Sequence, residues 1–143
     1  MKILMPPDSK KIWVNGCFDV LHVGHIKLLE YAKGLGGYLV VGIDSDQKVS
    51  ESKGKNRPFN TLEDRKSVLQ SIRYVDKVVT YNSEQELEDH IKNIEPDVLV
   101  IGSDWKDKRV VGSGFAKELR FFERIGNYST TSILNGEKSE NIC

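Results

Sequence analysis

The stretch Asn15-Gly16-Cys17-Phe18-Asp19-Val20-Leu21-His22-Val23-Gly24-His25 constrains this 143-residue chain more than any other. It follows the apolar run Ile12-Trp13-Val14 and precedes a helix-like segment, Ile26 to Leu35. A buried strand therefore runs into a tight loop, and the loop runs into a helix N-terminus. The first N–H groups of a helix lack intrahelical acceptors, and the helix dipole favours negative charge there, so the junction suits an anion. His22 and His25 stand three apart across Gly24, so both rings can reach one ligand near the helix start. Gly24, and Gly16 at the strand end, remove a Cβ where a phosphate needs close approach to backbone. Two other readings apply to the histidines alone: metal ligands, for which only Asp19 is near enough to help, or ordinary helix-start residues.

The remaining pattern alternates strands with helices. The first strand is expected at Lys11 to Cys17, with a helix ending at Gly34 and Gly36-Gly37. Tyr38 to Ile43 reads as a second buried strand, followed by Asp44 and a polar loop from Gln47 to Asn60. Thr61 caps a helix reaching Ser71 or Ile72, and Val75 to Tyr81 is a third strand. Ser83 and Glu86 form a capping box for a helix to about Ile94, which Pro96 terminates. Asp97 to Gly102 is a fourth strand, Ser103 to Gly114 a polar loop with a short helix after it, and Glu118 to Arg124 a fifth strand. A last helical turn is expected at Ser132 to Leu134. This alternation implies an α/β fold: a single Rossmann-like, doubly wound domain with a five-stranded parallel sheet. The domain is expected over residues 11–134, with a lead-in at 1–10 and a polar tail at 135–143. Every loop named above that follows a strand would converge on the C-terminal edge of the sheet.

Composition removes several function classes. Twenty-one basic residues balance 21 acidic ones, so net charge gives no pull toward nucleic acid or a membrane surface. No apolar run approaches the roughly 20 residues that span a bilayer, and the start of the chain is broken by Pro6-Pro7 rather than reading as a secretory segment. Two cysteines, Cys17 and Cys143, make no disulfide framework. A cytoplasmic protein without nucleic-acid or membrane partners is expected.

Further candidates lie beyond the histidines. Lys53 and Lys55 flank Gly54 in the polar loop and suit charge compensation of a triphosphate, or are simply solvated. Gly102 permits close backbone approach, Asp104 is a candidate acceptor for a base amino group, and Trp105 for packing on a base or sugar, against loop packing as the plainer reading. Ser129, Thr130 and Thr131 offer hydroxyls and free N–H groups for phosphates, with Arg124 as a charged partner, or form only a helix cap. Arg65, beside Glu63 and Asp64, is open to a structural ion pair.

The string Gly-x-Phe-Asp-x-x-His-x-Gly-His resembles the signature of the cytidylyltransferase-like nucleotidyltransferase superfamily, and the resemblance extends from about Lys11 to Leu134. It implies attack of a substrate phosphate on the α-phosphate of a nucleoside triphosphate, with pyrophosphate released and Mg²⁺ carried by the triphosphate. His22, His25, Lys53 and Arg124 would then be catalytic. Gly16, Cys17, Phe18, Asp19, Gly24, Gly102, Asp104, Trp105, Ser129, Thr130 and Thr131 would bind nucleotide, and Asp44, Lys55 and Arg65 the phosphate substrate, with no metal-ligating residue in the protein. Ile72-Arg73-Tyr74-Val75-Asp76, the run Gly24 to Glu30, Gly102 to Trp105 and Arg124 are similar to glycerol-3-phosphate cytidylyltransferases. Lys53 to Pro58 and Val111-Gly112-Ser113 resemble the adenylyltransferase domain of ADP-heptose synthase. The expectation from these is transfer from CTP to glycerol 3-phosphate, giving CDP-glycerol. The alternative is an ATP-dependent adenylyltransferase acting on a heptose 1-phosphate, and a non-enzymatic nucleotide sensor or scaffold is the third reading. The family resemblance also implies a homodimer.

Overall fold

In the computed structural model, which describes residues 8–123 and 133–136, five parallel strands form one sheet. In chain order they are β1 (Lys10–Gly16), β2 (Gly37–Asp44), β3 (Lys77–Tyr81), β4 (Val98–Gly102) and β5 (Glu118–Phe122). Their order across the sheet is β3-β2-β1-β4-β5, so β1 is central and the winding reverses between β1 and β4. The helices are α1 (Val23–Gly36), α2 (Asp46–Lys53), α3 (Leu62–Gln70) and α4 (Glu84–Ile94). The expected doubly wound α/β domain is present. Among the described residues no helix is long and apolar enough to cross a membrane.

Strand alternation sorts the apolar residues onto two faces. Ile12, Val14, Leu39, Val41, Ile43, Val98 and Val100 pack with Leu29 and Ala32 of α1 and Leu69 of α3. Trp13, Val40, Tyr81 and Leu99 face the other way, against Leu87 and Ile91 of α4 and Val110. Each such buried side chain contributes roughly 1.5–3 kcal/mol relative to exposure. Leu87 and Ile91, four apart, present one stripe of α4 to the sheet, which is why so polar a helix still docks.

Three expectations from the sequence are corrected. The polar stretch from Gln47 is not a loop at its start, because Asp46–Lys53 forms α2. Ser45 caps it by accepting from Lys48 N at 3.1 Å, and Val49, fully buried, is its one anchor. A single apolar residue in eight gives no periodicity to read. Strand β3 starts at Lys77 because Val75 N donates to Ile72 O in a turn at 3.0 Å. The loop after β4 holds two short 3₁₀ turns, Ser103–Trp105 and Ser113–Phe115. Small shifts occur at the ends: β1 stops at Gly16 rather than Cys17, and β5 at Phe122 rather than Arg124. The capping box of α4 is also displaced by one residue. Ser83 Oγ accepts from Glu86 N at 3.1 Å, but the Glu86 carboxylate accepts from Asn82 N rather than from the cap residue. Of the expected last turn, Ile133 and Leu134 are helical, and Ser132 lies outside the described residues, as does most of the expected 135–143 tail.

Gly42 shows how tightly the second face is filled. A Cβ there would lie 2.6 Å from Trp13 Cζ2 and 2.8 Å from Cη2. The indole is fully buried and its Nε1 donates to Asn15 Oδ1 at 2.9 Å, so the ring cannot tilt away without losing that bond. Gly42→Ala should therefore lower stability by about 1–3 kcal/mol, read as a shift in the urea midpoint with an unchanged slope.

Candidate active site

The loop between β1 and α1 is built from unusual backbone. Phe18 and Val20 have φ of 50° and 49°, a left-handed conformation that a β-branched residue such as Val20 rarely adopts. Asp19 lies between them and is buried. Its carboxylate accepts from Phe59 N at 2.6 Å, Asn60 N at 2.9 Å and Arg57 Nε at 3.3 Å. These bonds fasten the signature loop to the segment before α3. The Phe18 ring is also buried, sitting over Gly16 and 5.4 Å from the His25 ring centroid. Phe18 and Asp19, expected at the nucleotide, direct their side chains inward and shape the loop.

The two histidines cap α1 reciprocally. His22 is the N-cap residue, and its Nδ1 accepts from Gly24 N at 3.0 Å. His25 Nδ1 accepts from His22 N at 3.2 Å. An imidazole that accepts at Nδ1 carries its proton at Nε2, so the caps fix one tautomer for both rings. The ring centroids are 3.9 Å apart. Burial, and then the charge of His22, lower the His25 pKa to about 3. The arrangement therefore presents Nε2–H donors at a helix N-terminus, matched to phosphate oxygens. Among the described residues no three His, Cys, Asp or Glu side chains form a metal-ligand set.

Arg65, expected to contact substrate, is instead buried within the protein. Its Nε donates to Asn60 O at 3.0 Å, and one terminal nitrogen donates to Cys17 O at 2.9 Å and Asp44 O at 2.8 Å. The other pairs with Asp46 Oδ1 at 2.8 Å. One guanidinium thus ties the ends of β1 and β2 to the start of α2 and the segment leading into α3. Cys17 is half-buried, and its thiol pKa is raised by burial, which outweighs the opposing pull of the Arg65 charge.

Around this core the remaining candidates take separate positions. Asp44 ends β2 beside the signature loop, and Lys53 ends α2 close enough to act electrostatically on Cys17. Lys55 is exposed in the turn that follows α2. Gly102 ends β4, across the winding reversal from β1, and a Cβ there would meet open space. Asp104 and Trp105 are exposed on the first 3₁₀ turn, with Lys108 Nζ 5.9 Å from the indole centroid. The structure therefore gathers Gly16, Cys17, His22, Gly24, His25, Asp44 and Gly102 at one sheet edge, with the lysines and Trp105 at its exposed margin. Arg124, Ser129, Thr130 and Thr131 lie outside the described residues.

Sequence reasoning missed Arg57 and Asp46, whose roles depend on partners 38 and 19 positions away. No local pattern announces such pairs. A concavity lined by Glu88, Lys108, Arg109, Ser113, Phe115 and Leu119 contains none of the expected site residues.

Two outcomes follow from this geometry. Arg65→Met should destabilise the fold by about 3–5 kcal/mol, because several buried acceptors and the Asp46 carboxylate lose their partner. Denaturant unfolding measures it, and loss of substrate affinity with unchanged stability would contradict the structural role. The second concerns pH. The unfolded chain protonates His25 near the ordinary imidazole value of 6.5 and the folded chain only near 3. Stability from this group is complete above pH 6.5 and falls as pH drops from 6.5 toward 3, by up to about 1.4 kcal/mol per unit. His25→Gln should flatten that part of the stability–pH curve.

Comparison with known proteins agrees with this geometry. A family model described as "Cytidylyltransferase-like" matches residues 13–141. Bifunctional protein HldE of Campylobacter fetus is 46% identical over 124 residues, covering 87% of this chain. The same protein of Campylobacter jejuni is 40% identical over 140 residues, or 98% of the chain. The chain spans only 27% and 30% of the length of these two relatives. Among solved structures, a lipopolysaccharide core biosynthesis protein from Thermoplasma volcanium superposes with a TM-score of 0.66 at 23% identity, covering 82% of this chain and 99% of that one. A pantothenate synthetase from Thermus thermophilus gives 0.61 at 15% identity, over 89% and 62%. At those identities the likeness is one of fold alone. The family match over most of the chain, falling on a fold whose histidine-capped loop carries the signature, places this chain in the cytidylyltransferase-like family, as a nucleotidyltransferase-like domain.

Proposed function

We propose that this domain transfers an adenylyl group from ATP to a heptose 1-phosphate, forming an ADP-sugar and releasing pyrophosphate. The observation that supports nucleotidyl transfer is the reciprocal histidine cap, which aims Nε2–H donors at a helix N-terminus. An oxygen of the acceptor phosphate attacks the α-phosphorus in line, and the bond from the α-phosphorus to the bridging oxygen breaks. The acceptor phosphate is already ionised near neutral pH, so no covalent nucleophile or strong base is required of the protein. His22 and His25 donate to phosphate oxygens, where negative charge moves as the bond breaks. Lys53 and Lys55 supply cations at the exposed margin. Arg124 and the hydroxyls of Ser129, Thr130 and Thr131 belong to the same proposal as phosphate contacts, and Gly102, Asp104 and Trp105 as base contacts. Mg²⁺, carried by the triphosphate, belongs to the same proposal.

The choice of ATP and heptose 1-phosphate over CTP and glycerol 3-phosphate reverses the first expectation from sequence. It rests on relatives named bifunctional HldE at 40–46% identity, read together with the resemblance of Lys53 to Pro58 and Val111 to Ser113 to ADP-heptose synthase. Of the motifs shared with glycerol-3-phosphate cytidylyltransferases, the run Gly24 to Glu30, Ile72 to Asp76 and Arg124 belong in this reading to the fold and the phosphates, and Gly102 to Trp105 is the one it places at the base. A homodimer remains part of the proposal, and sedimentation equilibrium checks it.

Pyrophosphate release from ATP and CTP, each with heptose 1-phosphate and glycerol 3-phosphate, tests the reading. ATP with heptose 1-phosphate should be the fastest pair, and CTP with glycerol 3-phosphate being faster would overturn it. Release with no pair would favour a binding module instead. The histidine role has its own test in His22→Asn. Asparagine is a good N-cap, so the helix start should survive with little change in Tm. Losing the imidazole donor should still lower kcat by about 10²–10³, and near-wild-type turnover would rule the donor role out.

A further inference from the structure

The concavity beside α4 holds none of the expected site residues, yet its walls are built. It encloses about 370 Å³, within the size range of small-molecule pockets. Helix α4 supplies Glu88, strand β5 supplies Leu119, and the segment between β4 and β5 supplies Lys108 to Val110 and Gly112 to Phe115. That segment is pinned to the fold. Val110 is buried, and Gly112 passes so close to α4 that a Cβ there would lie 2.5 Å from Ile91 Cδ1. With φ of 80°, Gly112 also takes a conformation that favours glycine. Ser113 N donates to Val110 O at 3.2 Å, and Phe115 N to Gly112 O at 3.0 Å. Lys117 N then ties the end of the segment to Pro96 O at 3.2 Å. Gly112 and Ser113, to which the proposed reaction gives no task, thus form part of a preset wall.

Three kinds of surface meet in this concavity. Val110, Leu119 and the Phe115 ring, which is 39% exposed, are apolar. An exposed aromatic ring beside aliphatic side chains suits a flat apolar body rather than a bare sugar or an inorganic ion. Lys108 and Arg109 bring two cations. Arg109 Nη1 lies 3.6 Å from Glu84 Oε2 with both side chains mostly exposed, and Lys108 Nζ lies 5.9 Å from the Trp105 indole centroid. Contacts of that kind are weak in water and yield to an anion. Among the described residues Glu88 is the one carboxylate of the lining. It repels a simple apolar acid and accepts from hydroxyl groups. A flat ring, hydroxyl donors and an anionic group occur together in a nucleotide.

We propose that this concavity is a nucleotide site separate from the histidine-capped edge, taking a nucleoside monophosphate with its phosphate at Lys108 and Arg109, its ribose hydroxyls at Glu88 and its base on Phe115 and Leu119. The residues assigned to the reacting nucleotide stand elsewhere, at the ends of β1 and β4 and on the first 3₁₀ turn. The inference goes beyond the adenylyl-transfer reading and uses none of its residues.

Titration of isotope-labelled protein with AMP, followed by backbone amide NMR shifts, reads the two places separately. Amides of residues 108–115 and Leu119 should move along one saturating curve. Adenosine, which lacks the anion, and inorganic phosphate, which lacks the ring, should each bind there about tenfold more weakly than AMP. Arg109→Ala, at an exposed position, should weaken AMP there about tenfold and leave adenosine unchanged. Phe115→Ala should weaken both, and in either variant any AMP shifts around the signature loop should keep their wild-type concentration dependence. If Phe115→Ala fails to fold, Arg109→Ala still decides through its contrast between AMP and adenosine. Absence of saturating shifts at 108–119, inorganic phosphate binding there as tightly as AMP, or AMP affinity untouched by Arg109→Ala would overturn the proposal. The titration needs no turnover, so its failure and a failure of the adenylyl-transfer reading are told apart.

Discussion

The Arg65 guanidinium is the interaction on which the site's geometry depends. Strand ends are where a parallel sheet runs out of ladder partners, and the carbonyls of Cys17 and Asp44 both sit at such ends. Arg65 supplies the missing donors from a buried position, fixing the spacing between the first two strands at their C-terminal edge. Its charge is balanced by Asp46, half-exposed at the start of α2, so the ion is not isolated in the interior. Because Arg65 also holds Asn60 O, the same group locates the segment that binds Asp19. The chain of support therefore runs from Arg65 through residues 57–60 to Asp19, and from Asp19 to the histidine cap.

This arrangement explains which parts of the molecule could be read from sequence. Strands β1, β2 and β4 were legible because each holds a buried apolar run that ends at or near Gly or Asp, and burial on both faces requires that pattern. The histidine pair was legible because its two members are three residues apart and their helix is set by local signals. Arg65 was legible as a substrate contact or a structural ion pair, and the second reading matches its pairing with Asp46 rather than with the neighbouring Glu63 or Asp64. Only folding shows that its other partners are main-chain oxygens, two of them 48 and 21 positions away. Helix α2 was missed for a related reason. Its stability comes from the Ser45 cap and one buried valine rather than from a periodic face.

Base and acceptor choice were the least legible. The signature and the helix after it are shared by enzymes that use different nucleotides, because the triphosphate presents the same charges whichever base it carries. The residues proposed to contact the base, Gly102, Asp104 and Trp105, sit instead at and after the end of β4, where they answer to no packing constraint that a sequence pattern would register. Asn15 and Tyr81 illustrate the opposite case. They occur at the ends of apolar strands, and their polar atoms acquire a direction only once β1, β2 and β3 lie side by side.

The strained backbone at Phe18 and Val20 completes the physical picture. Each left-handed residue costs on the order of 1–3 kcal/mol and persists only where its surroundings over-determine it. Here the Phe18 ring is buried, and the Asp19 carboxylate accepts from three donors, so the loop is held before any ligand arrives. The benefit falls at the histidines. Donors already aimed by a reciprocal cap need no reorganisation when charge moves onto phosphate oxygens. Lys53 and Lys55 stand at the other extreme, exposed and screened by water, with little electrostatic strength until a bound triphosphate excludes that water. In the proposed reaction the site would therefore separate two tasks: a rigid interior would set the geometry of the reacting phosphates, and an exposed margin would strengthen only when they are bound.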